Sequence, residues 1–419
     1  MKKYRILLLL LAFVALIRIA SELSAPPPAA EPAAALALLP PVTEPQPTAP
    51  QETDPTVPET TEPADYILTL LDDMSLRQKV GQLFIVQPEA LNLTGEAGNP
   101  RTGGYTELTA VMKDALTRYP VGGIVMFSKN IETPAQITKF NAALQAAVDI
   151  PLFLCVDEEG GLVSRLANNS AFNLTQYKSA AAVGAGSDPS KALDMGRTIG
   201  AYLKKYGFNT DFAPVADVNT NPKNSVIGTR AFSSDPETAA EMAAAMAEGL
   251  RESGIIPTFK HFPGHGDTSE DSHYGLAVSQ KTEDELAACE WLPFEAAGSG
   301  DFVMIGHIAL PGVVDNNTPA TMSKEIITGI LKGKLGFEGL VITDSLEMDA
   351  ITEQYDSGQA ALCALRAGCD ILLIPDDLAS SFDAVVEAVE TGDFSEGQLE
   401  AIVERILRFK AQHGLLGVG

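Results

Sequence analysis

The fifteen residues KHFPGHGDTSEDSHY, from Lys260 to Tyr274, concentrate side chains that could exchange protons or bind a polar ligand. Three of the chain's five histidines lie here, with two aspartates, a glutamate and a lysine. Histidine titrates near neutral pH, so it can both donate and accept a proton during a reaction. Asp271 could orient the imidazole ring of His273, two residues later, and stabilise its charged form. Two glycines and a proline interrupt the stretch, which is typical of a loop that can close over a ligand.

Charged or titratable residues also end apolar segments at four places in the chain. They are Asp157, the pair Lys260 and His261, His307 and Asp344. Core packing explains such positions poorly, so together they predict one polar site. A carboxylate held at the end of a strand, as that of Asp344 would be, is rigidly placed and suits a nucleophile.

Eight apolar segments alternate with helical stretches, and this pattern predicts a parallel sheet that is buried on both faces. The segments are 82–86, 122–127, 152–157, 208–218, 256–262, 302–308, 340–345 and 371–375. One helical stretch, TPAQITKFNAALQAAV, has Thr133 as its predicted N-cap. Eight units favour a single (β/α)8 TIM-type barrel over a doubly wound open sheet, the competing α/β fold. In such a barrel, the residues that follow the strands meet at one end, where active sites lie.

The N-terminal residues predict export. MKKYR is followed by twelve apolar residues, which is typical of an export signal and shorter than the ~20 residues of most membrane-spanning helices. Because no clean cleavage site follows, we interpret residues 1–24 as a signal peptide or a membrane anchor. We expect an exported protein, tethered to the cell surface or secreted, that meets a membrane only through this segment.

Residues 25–64 predict a disordered linker. They are rich in Pro, Thr, Ala and Glu and contain no aromatic residue, so they cannot bury enough apolar surface to offset the entropy of ordering. Such a composition is typical of an extended, semi-rigid stalk. The predicted barrel domain then occupies residues 65–419.

The charge and the cysteines exclude two classes of protein. The formal net charge is -26, from 55 acidic and 29 basic residues. Binding to nucleic acid requires a basic surface, so no nucleic-acid partner is expected. The four cysteines (Cys155, Cys289, Cys363 and Cys369) form no C-x-x-C pair, which argues against a disulfide scaffold. Cys155 lies within an apolar segment and is expected to be a small buried residue.

Four motifs together resemble family 3 of the glycoside hydrolases and, within it, the β-N-acetylhexosaminidase branch. They are VDEEGGLVSRL (156–166), VIGTRAF (226–232), KHFPGHGDTSEDSH (260–273) and LVITDSLEMDAI (340–351). KHF marks the wider family, and the GHGDT…DSH continuation marks the branch. The resemblance runs from about residue 66 to 419. It implies a retaining, exo-acting enzyme that releases β-linked N-acetylglucosamine, since bacterial members of the branch remove this sugar from cell-wall fragments.

The resemblance also implies a role for each matching residue. It makes Asp344 the nucleophile, and His273 with Asp271 an unusual acid/base dyad. The sugar-binding residues that it implies are Asp157, Arg165, Arg230, Lys260 and His261. Other branches carry a second domain that supplies a glutamic acid/base. Because this chain ends at Gly419, soon after the eighth unit, we expect no such domain.

The implied substrate is a small carbohydrate, an N-acetylglucosaminyl disaccharide or muropeptide. The resemblance implies no metal and no organic cofactor, and we expect the protein to be a monomer. Phosphorolysis in place of hydrolysis stays open, because a histidine acid/base leaves room for an anionic phosphate acceptor. Activity on another β-glycoside is a further alternative.

Two functions from other classes fit part of the pattern. The histidines and aspartates of 260–274 could ligate the metal of a hydrolase, but they crowd one loop and form neither H-x-H nor H-E-x-x-H. A non-catalytic protein that binds cell-wall sugar would need Asp157 and Arg165. It would not need Asp344 or His273.

Several residues also have a structural interpretation. Asp344 could cap a helix in TDSLEMDAI, and Asp157 with Arg165 could be a structural ion pair. His261 could be a buried histidine of the core. The other polar residues near the motifs are interpreted structurally: His307 as hydrogen-bonded in the core, Glu158 and Glu159 as exposed turn charges, His265 and Asp267 as residues that shape their loop, and His413 as solvated at a helix end.

Overall fold

The computed structural model describes residues 63–95, 98, 103–268 and 275–417. The predicted signal or anchor (1–24) and all but the last two positions of the predicted linker (25–64) lie outside these residues, as do Asp271 and His273. Pro63 and Ala64 already belong to the first helix. Within the described ranges, no helix combines the length and the hydropathy that crossing a membrane requires.

Eight parallel strands form the central sheet, and a separate two-stranded ribbon pairs Ala277–Val278 with Ile308–Ala309. The strands are β1 (Phe84–Val86), β2 (Gly123–Met126), β3 (Phe153–Val156), β4 (Thr210–Asp211), β5 (Ile256–Phe262), β6 (Ala277–Val278), β7 (Phe302–Ile305), β8 (Ile308–Ala309), β9 (Leu340–Thr343) and β10 (Leu372–Leu373). The order in the sheet is β10-β1-β2-β3-β4-β5-β7-β9. A parallel bridge between Ile342 and Ile371 joins the two edges. Each predicted apolar segment contains one of these eight strands, so the (β/α)8 barrel is confirmed over the open sheet.

Helices surround the barrel and follow the predicted alternation. Within the described residues they are α1 (Pro63–Asp73), α2 (Leu76–Gly81), α3 (Ala110–Arg118), α4 (Pro134–Gln145), α5 (Ala180–Gly184), α6 (Pro189–Lys205), α7 (Pro236–Glu252), α8 (Glu283–Ala287), α9 (Asp349–Thr352), α10 (Ser357–Ala367), α11 (Leu378–Thr391) and α12 (Glu396–Gln412), with a π-helix at Glu325–Lys334. The Thr133 hydroxyl accepts a hydrogen bond from the backbone N–H of Gln136. Thr133 is therefore the N-cap of α4, as predicted.

Every residue of the eight barrel strands is buried. This burial explains why most of the strands lie in continuous apolar segments rather than in alternating ones. The exceptions are β4, which is Thr210–Asp211, and the end of β5, which carries Lys260 and His261. Cys155 is fully buried in β3, as expected, and all four cysteines are free thiols.

Helices α6 and α7, which flank β4, pack with their backbones close together. A Cβ atom at Gly196 would lie 2.2 Å from the carbonyl oxygen of Met246, and one at Gly249 would lie 2.3 Å from that of Leu193. Neither separation leaves room for a side chain, so glycine is required at both positions. The two helices thus fix the connections on either side of β4.

One end of the barrel interior is filled by aromatic rings and a lysine. The rings of Phe153 and Phe302 lie 5.2 Å apart, and that of Phe409, on α12, lies 5.1 Å from Phe302. The fully buried ammonium group of Lys410 donates to Gln82 Oε1 at 2.8 Å and to the carbonyl oxygen of Gly122 at 3.1 Å. It lies 4.7 Å from the centre of the Phe153 ring. Both oxygens are uncharged, so this cation is buried without a carboxylate partner among the described residues.

Candidate active site

A cavity of about 290 Å³ opens where the barrel strands end. It is lined by all six described residues that the sequence assigned to catalysis or sugar binding: Asp157, Arg165, Arg230, Lys260, His261 and Asp344. Its volume is near the lower end of the ~300–1,000 Å³ range of ligand sites, which suits a small ligand. The carboxyl ends of the strands therefore gather these residues as the barrel predicted.

Asp157, directly after β3, is bound by two cations from different parts of the chain. Its Oδ1 accepts from Lys260 Nζ at 2.8 Å, and its Oδ2 accepts from Arg165 Nη2 at 3.1 Å. Burial by itself raises the pKa of Asp157, but the charges of Lys260 and Arg165 outweigh burial and hold the pKa below its ordinary value. The ion pair that the sequence left open is thus real, and it lies in the wall of the cavity.

Glu159 forms a second ion pair in the same wall. Arg230 Nε and Nη2 donate to its two carboxylate oxygens at 2.8 Å and 2.7 Å, a bidentate arrangement, and Lys260 Nζ lies 2.8 Å from its Oε1. These charges overcome the effect of burial and lower the pKa of Glu159 to about 2. The expectation that Glu159 is an exposed turn charge was wrong, because its side chain is only 2% exposed.

Glu158 was expected to be exposed as well, and this prediction was also wrong. Its carboxylate accepts from the backbone N–H groups of Leu166 and Ala167 at 2.8 Å and 2.9 Å and from the Tyr202 hydroxyl at 2.8 Å. Burial raises the pKa of this carboxyl. The EEGG turn is tight, with positive φ angles at Gly160 and Gly161, and it folds Glu158 back beneath the loop that carries Arg165.

His261, at the end of β5, is held by a residue that sequence reasoning missed. Asp217 Oδ2 lies 2.7 Å from His261 Nδ1, and Asp217 Oδ1 accepts from the backbone N–H of His265 at 2.6 Å. Burial raises the pKa of Asp217, but the two histidines outweigh it and lower the pKa. The sequence did contain a signal, because Asp217 lies one position before the end of the apolar segment 208–218, much as Asp157 ends the segment 152–157.

Asp344, the first residue after β9, is half-buried in the cavity. Its backbone N–H donates to the carbonyl oxygen of Ile305 at 2.9 Å, and its Oδ1 accepts from the backbone N–H of Ser345 at 2.8 Å. The helix-cap interpretation was wrong, because the next helix, α9, has Met348 as its N-cap. Burial raises the pKa of Asp344, but the neighbouring His261 and His307 rings and the hydrogen bond from the backbone N–H of Ser345 outweigh burial and lower it. The carboxylate is therefore ionised near neutral pH.

Two histidines outside the cavity were assigned structural roles. His307 is fully buried, and its ring nitrogens contact Thr321 Oγ1 at 2.9 Å and the carbonyl oxygen of Ser345 at 2.8 Å. The expected hydrogen-bonded core histidine is confirmed, and it also holds the backbone beside Asp344. The prediction for His413 was wrong, because its ring lies 4.6 Å from that of Phe409 and is half-buried rather than solvated.

The first part of the 260–274 stretch is anchored to its neighbours. A Cβ atom at Gly266 would lie 1.8 Å from the carbonyl oxygen of Val218, so only glycine allows this approach. Asn224 Nδ2 donates to the carbonyl oxygen of His265 at 2.8 Å, and Asp267 Oδ2 accepts from Ser279 Oγ at 3.3 Å. His265 and Asp267 thus shape the loop, as expected. The placement of Asp271 and His273 stays a prediction.

The geometry supports ligand binding and nucleophilic chemistry in one cavity. One wall carries three cations and two carboxylates that fix one another, so its remaining hydrogen-bonding groups can meet a polar ligand without moving. Asp344 supplies an ionised carboxylate after a different strand. In the part of the chain that the structure describes, no group of three or more His, Cys, Asp or Glu residues is placed to hold a metal ion.

Sequence comparison agrees with this geometry. A family model described as "Glycosyl hydrolase family 3 N terminal domain" matches residues 75–409. The chain belongs to glycosyl hydrolase family 3. The predicted resemblance is thereby confirmed for the family.

Individual family 3 proteins match most of the chain. Beta-hexosaminidase A of Pseudoalteromonas piscicida is 32% identical over 348 residues, which are 76% of this chain and 58% of that protein. A beta-hexosaminidase of Stenotrophomonas maltophilia (strain R551-3) is 36% identical over 320 residues, 75% of this chain and 89% of that protein. A solved family 3 beta-N-acetylglucosaminidase from Paenibacillus sp. str. FPU-7 is 35% identical with a TM-score of 0.75, over 83% of this chain and 64% of that one. The chain thus spans less than two thirds of the first and third relatives.

Proposed function

We propose that this family 3 protein is a β-N-acetylhexosaminidase that removes N-acetylglucosamine from the non-reducing end of β-linked substrates with retention of configuration. The observation that carries the proposal is the ionised Asp344 carboxylate in one cavity with the Asp157–Lys260–Arg165 ion pairs. The names of the relatives in Pseudoalteromonas and Stenotrophomonas support the choice of hexosamine.

The reaction takes two steps on opposite sides of the anomeric carbon. In the first, an Asp344 oxygen forms a bond to C1 while the C1–O bond to the leaving group breaks. The leaving oxygen takes a proton from the imidazolium of His273, which becomes neutral. In the second step, water gives a proton to His273 and its oxygen bonds to C1, which releases the sugar and regenerates the Asp344 carboxylate.

His273 and Asp271 are proposed as the acid/base dyad. The described residues bracket this pair, because Thr268 and Gly275 stand on either side of it. A neutral imidazole avoids a second anion near Asp344, and a neighbouring carboxylate stabilises the imidazolium that forms when it takes a proton.

The ion-paired wall is proposed to bind the sugar hydroxyls. Carboxylates accept hydrogen bonds and guanidinium or ammonium groups donate them, so the wall can pair with both sides of each hydroxyl. Asp157, Arg165, Arg230, Lys260 and His261 are the proposed contacts. Because their mutual bonds hold them in place, the sugar is bound without a large cost for ordering these side chains.

The natural substrate is proposed to be an N-acetylglucosaminyl fragment of the cell wall, either a disaccharide or a muropeptide. This part of the proposal rests on the motif resemblance. Residues 1–24 are proposed to direct export and residues 25–64 to tether the barrel domain, 65–419, as a monomer outside the cytoplasm.

Trapping the glycosyl-enzyme tests the function. The protein is expected to release p-nitrophenol from p-nitrophenyl N-acetyl-β-glucosaminide, and a fluorinated sugar that slows the second step should label Asp344, as located by mass spectrometry of the digested protein. A label on another residue would contradict the mechanism, and the absence of turnover would contradict the function. Product analysis with and without phosphate separates hydrolysis from phosphorolysis, which would yield a sugar 1-phosphate.

A further inference from the structure

One buried carboxylate, that of Asp217, organises the floor of the cavity. The side chain of Asp217 is fully buried. It contacts His261 Nδ1 at 2.7 Å, and the backbone N–H of His265 donates to it at 2.6 Å. The backbone N–H of His261 lies 3.3 Å from both carboxylate oxygens. Asp217 therefore contacts both the imidazole ring and the backbone N–H of His261, and also the backbone N–H of His265.

The chemistry of the carboxylate decides where the His261 ring carries its proton. An ionised carboxylate only accepts hydrogen bonds, so Nδ1 must carry the proton at a separation of 2.7 Å. The ring lines the cavity that also contains Asp344. With Nδ1 turned to Asp217, the opposite ring edge, which bears Nε2, is left for the cavity.

We propose that Asp217 is a positioning residue that acts through His261, because it holds the proton on Nδ1 and turns Nε2 toward the sugar beside Asp344. The proposal rests on the function proposed above, since it needs a sugar in this cavity. A partner carboxylate that fixes the tautomer and orientation of a working imidazole is a recurring arrangement in enzymes.

The charges around His261 explain why the ring needs such a partner. Lys260 precedes His261 in the chain, and the His265 ring lies 6.0 Å from the His261 ring. Asp344 follows β9 and His307 follows β7, and both His261 and His307 lie close enough to Asp344 to affect its pKa. These neighbours are of both signs, and the described ones on the cavity side do not bond to Nδ1. Asp217 is thus the group that selects one orientation of the ring.

Substitution of Asp217 by asparagine tests the link selectively. In D217N the amide oxygen can keep the bond from the backbone N–H of His265, while the amide nitrogen donates where the carboxylate accepted. We expect kcat/KM on the aryl glycoside to fall by about tenfold to a hundredfold, the range for losing a hydrogen bond to a charged group. In a His261→Gln background, the same substitution is expected to cost less than about threefold, because its target is gone.

The double-mutant cycle separates positioning from support of the fold. If D217N lowers kcat/KM by the same factor in both backgrounds, Asp217 does not act through His261 and the proposal is overturned. Asp211→Asn is the matched control. Asp211 is an equally buried acidic residue in β4, and its Oδ1 accepts from the backbone N–H of Glu158. Whatever change in kcat/KM Asp211→Asn causes is expected to be the same with His261 present and in the His261→Gln background.

A spectroscopic measurement on the unaltered protein decides the matter even if D217N does not fold. Two-bond ¹H–¹⁵N spectra of ¹⁵N-histidine-labelled protein, with the His261 signals assigned by their loss in His261→Gln, report which ring nitrogen is protonated. A protonated Nδ1 supports the proposal. A neutral ring protonated on Nε2 alone overturns it. This result is independent of whether the aryl glycoside is turned over, so failure of the proposed function would be recognised separately.

Discussion

The ammonium group of Lys260 lies 2.8 Å from the carboxylate of Glu159, a residue that the sequence placed on an exposed turn. Lys260 bonds to Asp157 over the same distance, so one cation joins both acidic residues of the wall. Arg230 closes the far side of Glu159 through two hydrogen bonds. Glu159 therefore fixes two of the proposed sugar contacts without being one of them.

Glu159→Gln is expected to damage both stability and activity. The substitution leaves Lys260 and Arg230 partly unpaired in a buried site, and removing one partner of a buried ion pair typically costs about 3–5 kcal/mol. We expect urea denaturation to show a loss of this order and kcat/KM to fall at least about tenfold. An unchanged denaturation midpoint would mean that the pair contributes nothing to the fold.

The chain offers a matched control for Glu159 on the protein surface. Glu252 forms a similar two-bond contact with Arg197, but both side chains are exposed. Surface ion pairs contribute little because water screens them. Glu252→Gln is expected to leave the denaturation curve and kcat/KM close to those of the original protein.

Asp344→Asn is expected to abolish turnover and leave the fold intact. The amide has nearly the shape of the carboxylate but is a poor nucleophile, so kcat should fall by at least ~1,000-fold. Near-native rates would show that another residue is the nucleophile. Asp349→Asn is the control, because Asp349 is an exposed carboxylate five residues later at the start of α9.

Azide provides a positive test of the same assignment. In Asp344→Gly the missing side chain leaves space beside C1, and azide can attack there in place of the carboxylate. A retaining mechanism then yields the α-glycosyl azide, the opposite configuration to the β-substrate. A β-azide product, or no rescue by azide, would argue against attack by Asp344 from that face.

His273→Ala is expected to harm substrates with poor leaving groups most. A dinitrophenolate departs without a proton, whereas a sugar alkoxide needs one, so loss of the acid should matter far more for the disaccharide. Comparing kcat/KM across aryl leaving groups of graded pKa measures this dependence. Equal losses for all substrates would exclude His273 as the proton donor. The control is His413→Ala, at the end of α12, which should change neither kcat/KM nor its dependence on the leaving group.

The barrel was predictable because its strands are buried on both faces. Most of the eight lie in continuous apolar segments, and the polar residues directly after them, such as Asp157 and Asp344, stood out for that reason. The burial of Glu159 could not be predicted from the residues next to it in the sequence. It depends on Arg230, 71 residues later, whose side chain arrives only when the chain has folded. Asp217 and His261, 44 residues apart, depend on one another in the same way.

Lys410→Met is expected to stabilise the protein, and by more at low pH than at high pH. Burial lowers the pKa of Lys410 from 10.5 to about 7. Between these two values the unfolded chain binds a proton that the native protein has released, so stability rises with pH in that window. Below about pH 7 both states are protonated and the full cost of burying the charge applies, at most ~5 kcal/mol from about 1.4 kcal/mol per pKa unit.

The gain from Lys410→Met, measured by urea denaturation at pH 6 and pH 10, should therefore shrink as pH rises. The exposed Lys113→Met is the control, and a gain that does not depend on pH would mean that the native lysine keeps its proton throughout.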